Sequence, residues 1–460
     1  MRNAKFAAIA AAIVGVGSIG IAPVSAGTTL NGGGSSFMAN MIDICSAQYN
    51  RNTEFNAGGD TVSYSAVGSG TGKTNFANGT FKFGGTDSLY GSGAPSNFVY
   101  VPLISGAIPV MYRLDGVSPA GETVRLSPAT IGDIFAGRIK TWNDPAIVAD
   151  NTAKSTPAVK KGSKSGVTVT IAKKGTKVTV KVAATAAAIK KFKGKAVIIS
   201  RTTTAKKTKK VATVKSLTAS TSKAIAHAAG DIYTVKVGTK SIAAVGVDPI
   251  VSGVTLKLPS TPIRVAYRSG NSGTTNNFTN FLNKAVGSTW TKPANDSFTS
   301  AFPGSIPTGG TFQAASGSDG VANYVRDYNG AITYTEQSYA DERAAKNPNI
   351  KSALVRNNAG VYVGPSPAST AAFYSEAAVD ASGAVTPDYA VAAADAYLIN
   401  AIAYGLAGTS TSADNTAVKS YFTYVLETCA PKNAAGAGYA ALSGSILTKA
   451  LAQVAKISAG

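Results

Sequence analysis

The sequence predicts an α/β protein in two similarly built segments, interrupted by a small all-β module. Three observations carry this prediction. Residues 27–150 and 262–460 alternate extended apolar stretches with amphipathic stretches at helical spacing. Residues 152–245 alternate at period two between turn signals. The charge divides along the same line: of a net +21 over 460 residues, the segment 151–245 carries 21 Lys and Arg against one acid, Asp231, and the rest is nearly neutral.

At the start of the chain, Arg2 and Lys5 precede an apolar run from Phe6 to Ala22, and Val24-Ser25-Ala26 offers small residues for cleavage. This is the build of a secretory signal peptide over residues 1–26, with an uncleaved membrane anchor as the alternative because the run is near the lower length limit for a span. No later stretch is apolar enough to cross a bilayer, and no Cys follows the run to carry a lipid. The expectation is a periplasmic, secreted or surface-held protein with no transmembrane segment once the signal is removed.

In the first segment, NGGGSSF (31–37) runs into the helical stretch SSFMANMIDICSAQY, and the extended YSAV leads through VGSGTGK (67–73) into a second helix. AVGSGTGKT looks like a nucleotide phosphate loop, but Gly72-Lys73-Thr74 would need a glycine at position 67, where Val67 stands. A loop one residue short cannot wrap a β-phosphate. What stays is a turn whose free N–H groups suit some other anion. FGGTDS (83–88) then sets a lone carboxylate, Asp87, after a glycine pair; FVYVPLI and AIPVMY read as strands and SPATIGDIFAG as a helix.

In the middle, GVTVTIAKKGTKVTVKV reads as a hairpin around Lys-Gly, and KAVIIS, KVATVKSL and DIYTVKV as further short strands. Residues 152–245 are expected to form an immunoglobulin-like module. The alternative is a disordered lysine-rich linker, opposed by valines and isoleucines that give each strand a face to bury. In the last segment IRVAYR is a strand, YRSGNSGTT (267–275) sets Arg268 ahead of Ser-Gly-Thr at a helix start, and AITYTE is another strand.

Cys45 follows Phe37, Met41 and Ile44 at helical spacing, and Cys429 follows Val418, Phe422 and Val425. In an exported chain this pair reads as one disulfide, Cys45–Cys429; two buried free thiols are the alternative. The single histidine, His227, lies in the basic segment and is expected at the solvent. One His without an acidic or Cys cluster argues against a His-based triad or a transition-metal site, so no metal and no cofactor are expected.

Three of the four glycine-rich stretches are small and hydroxyl residues at helix starts, where unpaired N–H groups and the dipole favour an anion. Ser and Thr there also cap helices, and capping explains any one stretch alone. Four together, with an arginine able to fork onto an oxyanion, point to an anion site.

In their order along the chain, GGGSSF, GSGTG, FGGTD, TIGDIFAGRIKTWNDPAI (130–147), RSGNSGTT, GSDGVANYV…GAITYTE (317–336) and YVLETCAPKNAAGAGYAAL resemble the periplasmic phosphate-binding proteins of ABC-type phosphate transporters, over about 27–150 and 246–460. The resemblance implies a two-lobed periplasmic-binding-protein (Venus-flytrap) fold with a ligand cleft. Lobe I would comprise 27–105 and 385–460, lobe II 106–151 and 246–384, with 152–245 inserted. Phosphate contacts are implied at Ser36, Phe37 and Ser69, a carboxylate facing the anion at Asp87, a charged clamp at Arg268, and donors at Ser272, Gly273 and Thr274. Inorganic phosphate is the implied ligand and an ABC transporter permease the implied partner. The family commonly carries an Asp two residues after the Arg; Gly270 stands there, leaving the arginine without that partial neutraliser.

The implied mechanism is capture without chemistry. Phosphate at neutral pH carries a proton to share with Asp87, whereas sulfate carries none and meets an unpaired buried carboxylate. A secreted phosphatase is the enzymatic alternative, but it would need a nucleophile with its base or a two-metal carboxylate site. A third reading keeps the fold for attachment, with module 152–245 binding an anionic surface polymer through salt-sensitive contacts.

Overall fold

The computed structural model describes residues 27–156, 159–248, 250–252, 254–375 and 377–459; the signal-peptide segment 1–26 lies outside them. The chain divides into two compact units, one running to Asp144 and resuming at Pro259, the other Pro145–Leu258. No helix among the described residues is long and apolar enough to cross a membrane.

The larger unit is built on two mixed sheets. The first has six strands, in the order Thr61–Ser65, Thr29–Gly34, Phe83–Thr86, Asn400–Gly408, Phe98–Ala107, Tyr439–Ala440. Its first three strands are parallel and the others antiparallel to their neighbours. The second has five, in the order Phe312–Ala315, Arg264–Arg268, Ala331–Tyr334, Val110–Arg113, Ile350–Ser352, again three parallel strands followed by antiparallel ones. Each sheet is the centre of one lobe. The chain crosses from the first to the second after Ala107 and returns before Asn400. The two crossings touch, with the Ile108 N–H donating to the Ile399 carbonyl at 2.7 Å.

This topology decides where a ligand can sit. Parallel strands end in helix-starting loops, and open α/β sheets bind ligands in the crevice outside those ends. In the first lobe such loops carry Ser35, Ser36 and Ser69, and Asp87 follows the third parallel strand, Phe83–Thr86; in the second, Arg268 ends its strand and Ser318 follows another. The glycines of GSGTGKT serve packing: a Cβ on Gly72 would lie 2.4 Å from the Gly34 Cα, so helix Ser69–Ala77 rests directly on strand Thr29–Gly34.

Cys45 and Cys429 are bonded as a disulfide and fully buried, joining helix Ala39–Tyr49 to the segment Val425–Cys429. The bridge spans 384 residues of sequence. In the chain-entropy account, a cross-link of this span disfavours the unfolded chain by about 6 kcal/mol.

In the smaller unit, the period-two pattern gives two antiparallel four-stranded sheets. Their orders are Ser220–Ala226, Lys177–Ala184, Val167–Lys174, Lys161–Lys164 and Thr208–Val214, Val197–Thr202, Ile232–Val237, Lys240–Val245. Val169, Val180, Ile199, Tyr233 and Val235 point into one core common to both sheets, while lysine, serine and threonine take many of the outward positions. The module is a sandwich, as an immunoglobulin domain is, with three consecutive strands in one sheet as an order of its own. Alternation tells which face a strand buries, not which sheet it joins. A short antiparallel pair, Lys154–Thr156 with Ile250–Ser252, carries this unit beyond 152–245.

His227 corrects the solvent-exposed reading. Its side chain is 1% exposed, with the ring nitrogens 3.2 Å from the Tyr233 hydroxyl and 2.8 Å from the Asp248 carboxylate. Asp248 supplies the polar partner that makes burial tolerable.

Candidate anion site

The first lobe contributes three strand ends. After Thr29–Gly34, the Ser35 N–H donates to the Gly85 carbonyl at 2.8 Å. The Ser35 hydroxyl donates to Asp87 Oδ1 at 2.5 Å and accepts the Phe37 N–H at 3.0 Å. After Thr61–Ser65, Ser69 opens its helix; its Oγ accepts the Asp87 N–H at 3.2 Å and lies 3.4 Å from Asp87 Oδ2. Asp87 follows Phe83–Thr86 and is 3% exposed.

The second lobe brings the cation. Arg268, 5% exposed, closes strand Arg264–Arg268. Its Nη2 donates to Ser36 Oγ at 3.1 Å, and its Nη1 faces Ser318 Oγ at 3.4 Å and Thr274 Oγ1 at 3.5 Å. Its Nε is buried with no hydrogen-bond partner among the described residues. Thr274 Oγ1 also lies 3.4 Å from Asp87 Oδ2, so a hydroxyl stands between the guanidinium and the carboxylate. Gly273 permits this approach: a Cβ there would lie 2.7 Å from both Asp87 Cβ and Ser69 Oγ. A cavity of about 390 Å³ reaches Arg268, lined also by Val67, Gly68, Thr71 and Gly270. A Cβ on Gly270 would meet nothing within 4 Å.

Ser36, Ser69, Asp87, Arg268, Gly273 and Thr274 therefore share one buried cluster. Ser272 and Phe37 stand differently. The Ser272 hydroxyl caps helix Gly273–Ala285 by accepting the Thr275 N–H at 3.3 Å. The Phe37 ring is core, edge-on to Tyr439 with centroids 6.0 Å apart, and its N–H is taken by Ser35. Sequence reasoning passed over Ser35 and Ser318. Both were legible by the signal that marked Ser69, a hydroxyl where a parallel strand gives way to a helix.

Burial pushes the Asp87 carboxyl up to about 6, against the Ser35 hydrogen bond, the Arg268 charge and the Ser69 hydrogen bond, all of which pull it down. Burial also lowers the Arg268 pKa, yet a guanidinium starts so high that it stays charged. The cluster thus pairs a fixed cation with an acidic group poised to hold or release a proton near neutrality.

A family model described as a PBP superfamily domain matches residues 22–174 and 152–428. The chain belongs to the periplasmic-binding-protein (PBP) superfamily. "Phosphate-binding protein PstS" of Xylella fastidiosa (strain Temecula1) is 25% identical over 351 residues, covering 76% of this chain and 63% of that protein. "Phosphate-binding protein PstS 3" of Mycobacterium leprae is 24% identical over 323 residues, covering 68% of this chain and 55% of that protein. The chain thus spans less than two thirds of the length of these relatives. Among solved structures, a high affinity periplasmic phosphate-binding protein (PfluDING) bound with phosphate shares the fold. Its TM-score is 0.55 at 18% identity, over 92% of this chain and 93% of that one. In this PBP-superfamily chain, then, the two sheets are the two lobes, and the cluster lies where their loops meet.

Proposed function

We propose that this chain is an extracytoplasmic solute-binding protein that captures inorganic phosphate in the crevice between its lobes and hands it to the permease of an ABC-type phosphate transporter. It works in the periplasm or at the cell surface. The observation that carries this reading is the Thr274 hydroxyl standing between buried Arg268 and buried Asp87. A partly protonated tetraoxyanion uses every member of such a cluster: the cation takes its charge, Ser36, Ser69, Thr274 and Ser318 donate to its oxygens, and Asp87 accepts its proton. The names of the PstS relatives support the same reading. Closure excludes water and strengthens each contact.

Calorimetric titration of the purified protein with phosphate, sulfate and arsenate at pH 8 tests it. Saturable one-site binding of phosphate with no measurable heat from sulfate is expected. Absence of saturable phosphate binding would refute capture, and turnover of a chromogenic phosphate ester would refute capture without chemistry.

A second role is favoured by the smaller unit. Every lysine from Lys160 to Lys240 is exposed, and among the described residues only Lys173, at 3.7 Å from Asp248, has a carboxylate within 4 Å. Arg201 is occupied by Asp231 at 3.7 Å and the Ala226 carbonyl at 3.1 Å. The aromatic residues of this unit, Phe192 at the end of a short helix and Tyr233 on a strand, are buried. A surface of free lysines without stacking rings recognises charge density, which suits an anionic surface polymer better than a nucleic acid read by stacking. Retention on cells is expected at low salt and lost as ionic strength shortens screening to about 3 Å near 1 M. Deleting 152–245 should abolish retention and leave phosphate affinity intact; equal retention with and without the module would overturn this role.

A further inference from the structure

The lysine of GSGTGKT, which no nucleotide explains, has all its donors engaged. Lys73 Nζ donates to Ser88 Oγ at 3.0 Å, to the Leu89 carbonyl at 3.0 Å and to Asp296 Oδ2 at 2.8 Å. Lys73 belongs to the first lobe, on helix Ser69–Ala77. Asp296 belongs to the second, just before helix Phe298–Ala301. Asp296 is held from three sides: Ser88 Oγ donates to Oδ2 at 3.1 Å, Asn276 Nδ2 donates to Oδ1 at 2.9 Å, and its carbonyl accepts the Ser272 N–H at 2.9 Å. The side chains of Lys73 and Asp296 are 11% and 17% exposed, and both line a groove of about 960 Å³ at the lobe boundary.

We propose that Lys73 and Asp296 form a clasp between the lobes that holds the crevice shut and sets the rate at which its ligand leaves. The clasp grips the segment directly behind Asp87. Ser88 and Leu89 are the next residues along the chain, and Asn277 Nδ2, one residue past Asn276, donates to the Asp87 carbonyl at 2.6 Å. Opening the lobes therefore requires Asp87 to part from Thr274 while a nearly buried charge pair separates. Separating such a pair leaves each charge partly desolvated and unpaired, a cost that falls on dissociation more than on encounter. Lys73 and Asp296 act through Asp87 and the lobe contact, so they are positioning residues.

An amide reports on the clasp without any ligand. The Gly70 N–H, left free by the first turn of its helix, donates across the boundary to the Asn271 carbonyl at 3.2 Å. This inference rests on the phosphate reading only for the release rate, so the test has two arms on the full chain. The variants are Lys73→Met, Asp296→Asn, their double, and Lys73→Arg, which keeps the charge. In the ligand-free arm, hydrogen exchange at Gly70 should accelerate about ten- to a hundredfold in Lys73→Met and Asp296→Asn, with the double no worse than the worse single. Lys73→Arg should retain most of the protection. In the phosphate arm, the release rate should rise about ten- to a hundredfold while association changes by less than about threefold. If Lys73→Met does not fold, the isosteric Asp296→Asn carries both arms. Unchanged exchange at Gly70 in Asp296→Asn, or strictly additive effects of the two substitutions, would overturn the clasp. Failure of the wild-type protein to bind phosphate would refute the phosphate reading, and the exchange arm would still judge the clasp.

Discussion

Arg268→Ala is expected to weaken phosphate binding by about a thousandfold, read as Kd by calorimetry. Truncating one member of a buried, hydrogen-bonded charge set costs about 2–5 kcal/mol or more, and about 4 kcal/mol corresponds to a thousandfold. Arg268 is the cation whose guanidinium lies within hydrogen-bond reach of the Ser36, Thr274 and Ser318 hydroxyls. Its charge is also one of the influences pulling the Asp87 carboxyl down. The alanine variant would therefore ask an anion to enter beside a buried acid with no compensating charge. Arg268→Lys should lose less but should not restore the wild-type value, because an ammonium is a point charge and cannot fork onto two oxygens. A loss under tenfold in a folded Arg268→Ala protein would remove Arg268 from the site.

Asp87→Asn is expected to shift selectivity more than affinity. A site built around a ligand's hydrogen-bonding group rejects analogues lacking it by roughly 10⁴–10⁵, and the asparagine should erase most of that margin by offering N–H donors to sulfate. The effect has a pH signature. In the ligand-free protein the Asp87 carboxyl is pushed up to about 6. Above that pH it is a carboxylate, accepting phosphate's proton and repelling sulfate; below it, it carries a proton and can donate to sulfate. Sulfate binding by the wild-type chain should therefore strengthen as pH falls through about 6, and Asp87→Asn should lose that dependence. The same shift gives a stability sign. The folded state binds the proton more tightly than the unfolded chain, so Asp87's contribution favours folding at acid pH and is lost as pH rises through about 6. A phosphate-to-sulfate ratio unmoved by Asp87→Asn would remove the acceptor role.

What could be read from the sequence was local. Helix starts after Ser36, at Ser69 and at Gly273 announce themselves because the cap, the glycine and the hydroxyls are neighbours in the chain. The alternation of GVTVTIAKKGTKVTVKV announces its hairpin for the same reason. What escaped depends on partners far apart. Lys73 meets Asp296 across 223 residues, and Ser36 lies 3.2 Å from Ser318 across 282. His227 owes its burial to Asp248, 21 residues on, outside the run that made it look exposed. The smaller unit runs past residue 245 for the same reason, since strand Ile250–Ser252 pairs with Lys154–Thr156, nearly a hundred residues earlier. The disulfide was legible only as one of two states of the same cysteines, because helical spacing places a thiol on an apolar face and does not say what faces it.

The strand order of the six-stranded sheet has a consequence for how the molecule is assembled. Strand Asn400–Gly408 lies between Phe83–Thr86 and Phe98–Ala107, so neither N-terminal portion can complete its ladder until nearly the whole polypeptide has been made. Until then Phe83–Thr86 presents an open edge, the kind of template that invites mispairing with other chains.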